Sequence, residues 1–250
     1  MTHSSSCYTE YMDAESASRE SINPIHAVCF DYDGTLIDSE SFYFETMRDW
    51  LLDHFGVLIT KSEYAYYETV LDDEIITWLL ENDRLESHTP ADEPRIRGAI
   101  MDEWLVHWDT LMESEHARMN AQRLHDFKSH TPLPLALVTC SYPPYVDPFI
   151  DAYGLDEVFS YILTGDLVER LKPDPEIYLM ALEKFALEGR EVVTVEDAPR
   201  GISSALKAGI RVVRPLAYVL EHEPMSDTIE VPDLEGALNY VCGGNGNAIY

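Results

Sequence analysis

The segment Phe30-Asp31-Tyr32-Asp33-Gly34-Thr35-Leu36 runs from an apolar stretch into two carboxylates two residues apart. Just past a strand, both can reach the crevice at the strand's C-terminal end, one as nucleophile and the other as general acid and base. Gly34 lets the backbone turn sharply, and Thr35 can pin the loop by hydrogen bonding. Standing alone, such a segment also reads as an Asp-Gly turn with solvated carboxylates. Its meaning depends on three companions. Val138-Thr139-Cys140-Ser141 sets hydroxyls and free backbone N–H groups at a strand end, which makes an anion cradle or an ordinary Ser/Thr turn. Cys140 has no nearby His and reads as a small neighbour of the cradle, not a nucleophile. Lys172-Pro173-Asp174-Pro175 places an ammonium before a helix start, as a phosphate counter-charge or a solvated loop lysine. Val195-Glu196-Asp197, followed by Pro199-Arg200-Gly201, ends another apolar run with two more carboxylates. Asp31, Asp33, Glu196 and Asp197 together would repel strongly, and a hard divalent cation relieves that; a Glu-Asp pair alone is a frequent acidic helix cap.

Strands must deliver these groups, and short apolar runs occur at the right places. His26–Phe30, Leu135–Thr139, Val192–Val195 and Arg211–Arg214 read as buried strands, with Tyr161–Leu163 a further short one. Helical patterns separate them. Pro175–Phe185 carries Ile177, Leu179, Met180 and Leu182 on one face, and Ile202–Ala208 precedes Gly209. Alternation of this kind predicts an α/β fold, a Rossmann-like doubly wound parallel sheet with helices on both sides.

The stretch between the first two strands breaks the rhythm. A crossover needs only a dozen or more residues, yet here no convincing strand occurs from Asp31 to Pro134. Three helices are predicted in it: Ser41–Phe55 closed by Gly56, Asp72–Leu80 behind an Asp N-cap, and Pro94–Met112. It therefore reads as an inserted all-α cap. The predicted division is a mobile leader over 1–23, a discontinuous core over 24–45 and 118–242, a helical cap over 46–117, and a mobile tail over 243–250. Hinges are expected near 38–46 and 117–121. The aromatics Tyr64, Tyr66, Tyr67, Trp78, Trp104 and Trp108 could line a substrate pocket, although spacing such as Trp104 to Trp108 is more often helix core.

Composition removes several classes. With 17 Lys and Arg against 46 Asp and Glu, the net charge is −29, which repels nucleic acid and anionic lipid. The apolar runs are too short for a membrane span. Cys7, Cys29, Cys140 and Cys242 form no zinc spacing, and scattered thiols predict a reducing, cytoplasmic setting. A small-molecule partner and a monomeric state are expected.

The ordered set, D-x-D-G-T, then Thr139, then Lys172-Pro173, then Glu196-Asp197, resembles the haloacid dehalogenase superfamily over about residues 25–240. Within it, the helical insert after the first motif is similar to the beta-phosphoglucomutase-like phosphatases. That resemblance implies a phosphatase acting on a small phosphorylated, sugar-phosphate-like metabolite. Asp31 would form an aspartyl-phosphate. Asp33 would protonate the leaving oxygen and later activate water. Thr139, Cys140, Ser141 and Lys172 would bind the phosphoryl group. Mg²⁺ would sit on the Asp31 carboxylate, the Asp33 main-chain carbonyl and Asp197, with Glu196 directly or through water. Dehalogenases of the superfamily lack the second Asp of the first motif, so Asp33 disfavours that chemistry.

A mutase of the beta-phosphoglucomutase type stays as an alternative, and a silent binding protein on the same fold as a remote one. Against the mutase, Tyr43 occupies the position of its His, and the expected Gly and Arg are replaced by a segment ending Asp72-Asp73-Glu74. The cap's basic residues are Arg48, Lys61, Arg84, Arg95 and Arg97, with Arg48 and Lys61 the named reserve for a second anion. The usual Pro-Gly turn at cap re-entry is replaced by Met119-Asn120.

Overall fold

The computed structural model describes residues 24–66, 75–85, 88–220 and 224–244. The predicted leader, Cys7, Tyr67 and the Asp72-Asp73-Glu74 segment lie outside the described residues, as does most of the predicted tail.

Six strands form one parallel sheet: β1 Ala27–Phe30, β2 Leu135–Val138, β3 Tyr161–Leu163, β4 Val192–Val195, β5 Arg211–Pro215 and β6 Thr228–Val231, in the order β3-β2-β1-β4-β5-β6. β1, β2 and β4 are buried along their whole length, as continuous apolar runs covered on both faces must be. Winding proceeds from β1 outward to β3, then returns to the other side of β1 at β4. The reversal puts a crevice beyond the C-terminal ends of β1 and β4, where ligands of open α/β sheets bind. Pairing of Phe30 with both Leu137 and Val195 sets the residues that follow these strands level with one another.

The alternation of side chains builds two cores. Val28, Phe30, Leu137 and Val195 pack on one face, against Leu124 and Phe127 and against Val146 and Phe149. Ala27, Cys29, Val138 and Val212 pack on the other, against Ile177, Tyr178, Ile202 and Ala205. A third cluster belongs to the insert: Phe44, Met47, Leu51, Ile76, Leu79, Ile96 and Ile100. Its helices are α1 Ser39–Phe55, α2 Lys61–Tyr66, α3 Ile75–Glu81 and α4 Glu93–Val106. Asp38 caps α1 through Ser41 N, and Gly56 closes it at φ 67°, so the helix starts two residues before the predicted position.

Several expectations are corrected. The predicted Pro94–Met112 helix is broken at His107 into α4 and α5 Trp108–Met112. The segment serves two cores, and the change falls inside α4: Ile96 and Ile100 pack in the insert, while Trp104, like Trp108 and Leu111 beyond the break, packs against the sheet's helices. Residues 117–121, expected as a hinge, lie inside α6 Glu115–His130, whose Ser114 cap accepts from Ala117 N. Met119-Asn120 is therefore no turn. Asn120 is buried and donates to Leu36 O at 2.9 Å, tying α6 to the first motif. The core is completed by α7 Pro143–Tyr153, α8 Glu176–Phe185, α9 Pro199–Lys207 and α10 Leu234–Gly244. In α8 the inner face is Ile177, Tyr178, Ala181 and Leu182, and Leu179 is 49% exposed. Gly243 and Gly244 belong to α10, not to the tail. β6 has no counterpart in the sequence reading, because a half-buried edge strand of four residues carries little apolar signal.

Candidate active site

The four motifs meet at the crevice. Lys172 Nζ, almost fully buried, donates to Asp31 Oδ1 at 2.6 Å, to Glu196 Oε2 at 2.7 Å and to Val138 O at 3.0 Å. One ammonium thus links the ends of β1, β2 and β4. Thr35 does pin the loop, but across the sheet, by donating to Asp197 Oδ1 at 2.7 Å. Beside them, Thr139 Oγ1 accepts from Ser141 N at 3.0 Å, and the Ser141 hydroxyl donates to Asp33 Oδ2 at 2.5 Å. Cys140 lines the same cavity, and burial pushes its thiol pKa up, which keeps it protonated and poorly nucleophilic.

Carboxylate oxygens of Asp31, Glu196 and Asp197 lie within 4.8 Å of one another, and all three residues are buried. Burial, then the charge of Glu196, raises the Asp31 carboxyl well above its ordinary range, against the pull of Lys172. The same two causes push Asp197 to about 7. Burial raises Asp33 as well, and the Ser141 hydrogen bond partly offsets it. Burial pulls Lys172 down, but Asp31 and Glu196 outweigh it and hold its pKa well above the usual value, so it stays charged. One ammonium is too little positive charge to keep this many clustered carboxyls ionised together, which is why their pKa values rise. The hard oxygen donors and the charge they would carry once ionised fit a divalent cation.

Two glycines make room for the cluster. A Cβ on Gly34, whose φ is +69°, would stand 2.3 Å from Asp197 Oδ2. A Cβ on Gly201 would stand 2.1 Å from the Glu196 carboxylate carbon. Gly→Ala inside a helix ordinarily stabilises by ~1 kcal/mol. Gly201→Ala is expected to destabilise instead, by ~1–3 kcal/mol, since Glu196 is held on its other side and must shift. Urea denaturation checks the sign, and a stabilised variant would show that Glu196 is not fixed.

A cavity of about 540 Å³ opens above the cluster. Asp31, Asp33, Thr139, Cys140, Ser141, Lys172 and Glu196 line its floor, while Tyr43, Met47, Tyr64, Arg97, Met101 and Trp104 close it from the insert. Tyr64 and Trp104 are therefore both packed in a core and part of the cavity wall. Trp108 lies in the sheet-side core, and Trp78 packs against Arg84. Of the insert's five basic residues, Arg97 alone lines this cavity. Arg48 pairs with Asp49 and lies over Phe44, as does Lys61, so the two named in reserve are not brought to the site.

The sequence pattern of haloacid dehalogenase-like hydrolases matches residues 28–214. The chain belongs to that family. Among relatives of this haloacid dehalogenase-like hydrolase, a phosphorylated carbohydrates phosphatase of Thermotoga maritima is 29% identical over 196 residues, 78% of this chain and 87% of its own. Hexitol phosphatase A of Escherichia coli is 30% identical over 189 residues, 74% of this chain and 80% of its own. The beta-phosphoglucomutase structure from Clostridium difficile shares the fold, with a TM-score of 0.60 at 18% identity over 89% of this chain and 97% of that one. The chain is similar to the beta-phosphoglucomutase-like branch. Tyr145, Tyr178 and Arg200 also stand at the haloacid dehalogenase-like site, beyond the set read from sequence. Arg200 had a signal in its Pro-Arg-Gly context; it lines the cavity and donates to Lys172 O at 2.8 Å. Tyr145 and Tyr178 stand in no motif of the sequence, and only the fold brings them here.

Proposed function

We propose that this chain is a Mg²⁺-dependent phosphomonoesterase that works through an aspartyl-phosphate on Asp31. The observation that carries this reading is the Lys172 ammonium shared between Asp31 and Glu196 at the floor of the cavity. Thr139, Ser141, Lys172 and the N–H of Cys140 bind the phosphoryl oxygens. An Asp31 carboxylate oxygen bonds to phosphorus as the ester P–O bond breaks, and Asp33, whose pKa is raised by burial, passes its proton to the leaving oxygen. Water then attacks the phosphorus and yields its proton to Asp33. The P–O bond to Asp31 breaks, and phosphate and the free carboxylate result. Asp31, Glu196, Asp197 and the main-chain carbonyl of Asp33 would hold Mg²⁺, which neutralises phosphoryl charge when bound. The helical insert acts as a cap that contributes substrate contacts from Tyr43, Tyr64 and Trp104. A phosphorylated carbohydrate is the substrate class, supported by the two phosphatase relatives. The cytoplasm is the compartment, on the free thiols Cys29, Cys140 and Cys242.

Phosphate release from an aryl phosphate and from hexose and hexitol phosphates tests the reading. Release is expected with Mg²⁺ and should vanish with chelator; none in Mg²⁺ would overturn it. Asp33→Asn is expected to slow alkyl esters ~10²-fold or more, and aryl esters, whose leaving groups need no proton, far less. Equal slowing of both would remove Asp33 as the acid. Arg97 in the cavity wall favours one second reading, a phosphosugar mutase that holds a distal anion there. Conversion of beta-glucose 1-phosphate with a bisphosphate primer, faster than phosphate release, would establish it.

A further inference from the structure

Tyr178 is fully buried on α8, among the side chains that cover one face of the sheet. Its hydroxyl nevertheless points into the carboxylate cluster. It donates to Glu196 Oε2 at 2.7 Å and lies 3.2 Å from Thr194 Oγ1. The same ring lies under the ammonium of Lys172, whose Nζ is 5.2 Å from the ring centroid. Glu196 Oε2 therefore receives two donors, Tyr178 and Lys172, while Oε1 receives the Ala198 N–H at 3.3 Å. A glutamate with three rotatable bonds loses much of its freedom in such a clamp, and only one orientation of the carboxylate satisfies all the donors.

We propose that Tyr178 is a positioning residue for the cation site: its hydroxyl fixes the Glu196 carboxylate and its ring seats Lys172. Groups that hydrogen-bond to metal ligands set the ligands' orientation, and their removal typically costs 10–100-fold in metal affinity. The inference rests on the Mg²⁺ site proposed above, and the test separates the two.

Mg²⁺ binding is measured by calorimetry on the substrate-free protein and compared with the Mg²⁺ dependence of turnover. Tyr178→Phe keeps the ring and removes only the hydroxyl. It is expected to weaken Mg²⁺ binding ~10-fold or more, and to raise the Mg²⁺ concentration needed for half-maximal turnover by a similar factor. Because Tyr178→Phe strands the buried Thr194 hydroxyl, the pair Thr194→Val and Tyr178→Phe is made as well. Removing both partners of a buried hydrogen bond is close to neutral for stability. Thr194→Val alone should bind Mg²⁺ as wild type does, and the double variant should bind as weakly as Tyr178→Phe. Wild-type affinity in the double variant would overturn the role of Tyr178 and leave the metal site standing. A wild-type protein that takes up no Mg²⁺ would overturn both.

Discussion

Asp31→Asn is expected to lower phosphate release by ~10⁴-fold or more, as loss of a nucleophile does, and to leave the fold intact. The amide has the shape of the carboxylate but offers phosphorus no anionic oxygen. Folding should survive because two effects oppose each other. Lys172 loses one charged partner but keeps Glu196 and Val138 O. At the same time the cluster loses one of the buried negative charges that repel one another. The checks are phosphate release, thermal melting, and the intact mass after acid quench during turnover. Wild type should carry a phosphoryl adduct and the variant none. Activity within tenfold of wild type would sink the covalent route.

The second large effect belongs to Lys172→Met, and it falls on stability as well as on activity. Methionine fills nearly the same volume without the charge, so Asp31 and Glu196 are left buried with no cation between them. Breaking a buried ion pair by removing one partner typically costs ~3–5 kcal/mol. That loss is expected in urea denaturation with chelator present. Mg²⁺ should restore part of it, since a cation bound only by the folded state stabilises that state and takes over the neutralisation. A loss under ~1 kcal/mol would show that the carboxylates are compensated elsewhere, against the low values expected only for solvent-exposed pairs.

Much of this arrangement is readable from the chain because its signals are local. An apolar run ending in two carboxylates announces a strand and its active end within seven residues. Repeated once at Val195-Glu196-Asp197 and joined by the apolar run that ends at Thr139, such strand ends and their helices imply a parallel sheet whose crevice collects Asp31, Thr139, Lys172, Glu196 and Asp197. The insert is legible as helix-period apolar residues, Ile75, Ile76, Leu79 and Leu80 all being buried as the spacing predicts. Helix ends are legible wherever a special residue marks them, as Gly56 does.

What escapes the sequence is which of two plausible faces a residue turns toward a partner far along the chain. Leu179 and Tyr178 are equally good candidates for the inner face of α8, and only packing against β2 and β3 decides for the tyrosine. Its hydroxyl then meets Glu196, eighteen residues on, as no spacing rule foretells. Arg97 looks like any solvated helix residue until α4 lies over the cavity. Trp104 and Trp108 are spaced as one helical stripe and do pack in one core, yet the helix between them is broken at His107, which no residue type there announces. Gly201 reads as a mild helix weakener, and only the Glu196 carboxylate beside it explains the missing side chain. Short-range chemistry is written in residue type and spacing. Long-range contact depends on how strands and helices stack, and there the tertiary structure alone decides, because burial rewards whichever face the neighbouring element covers.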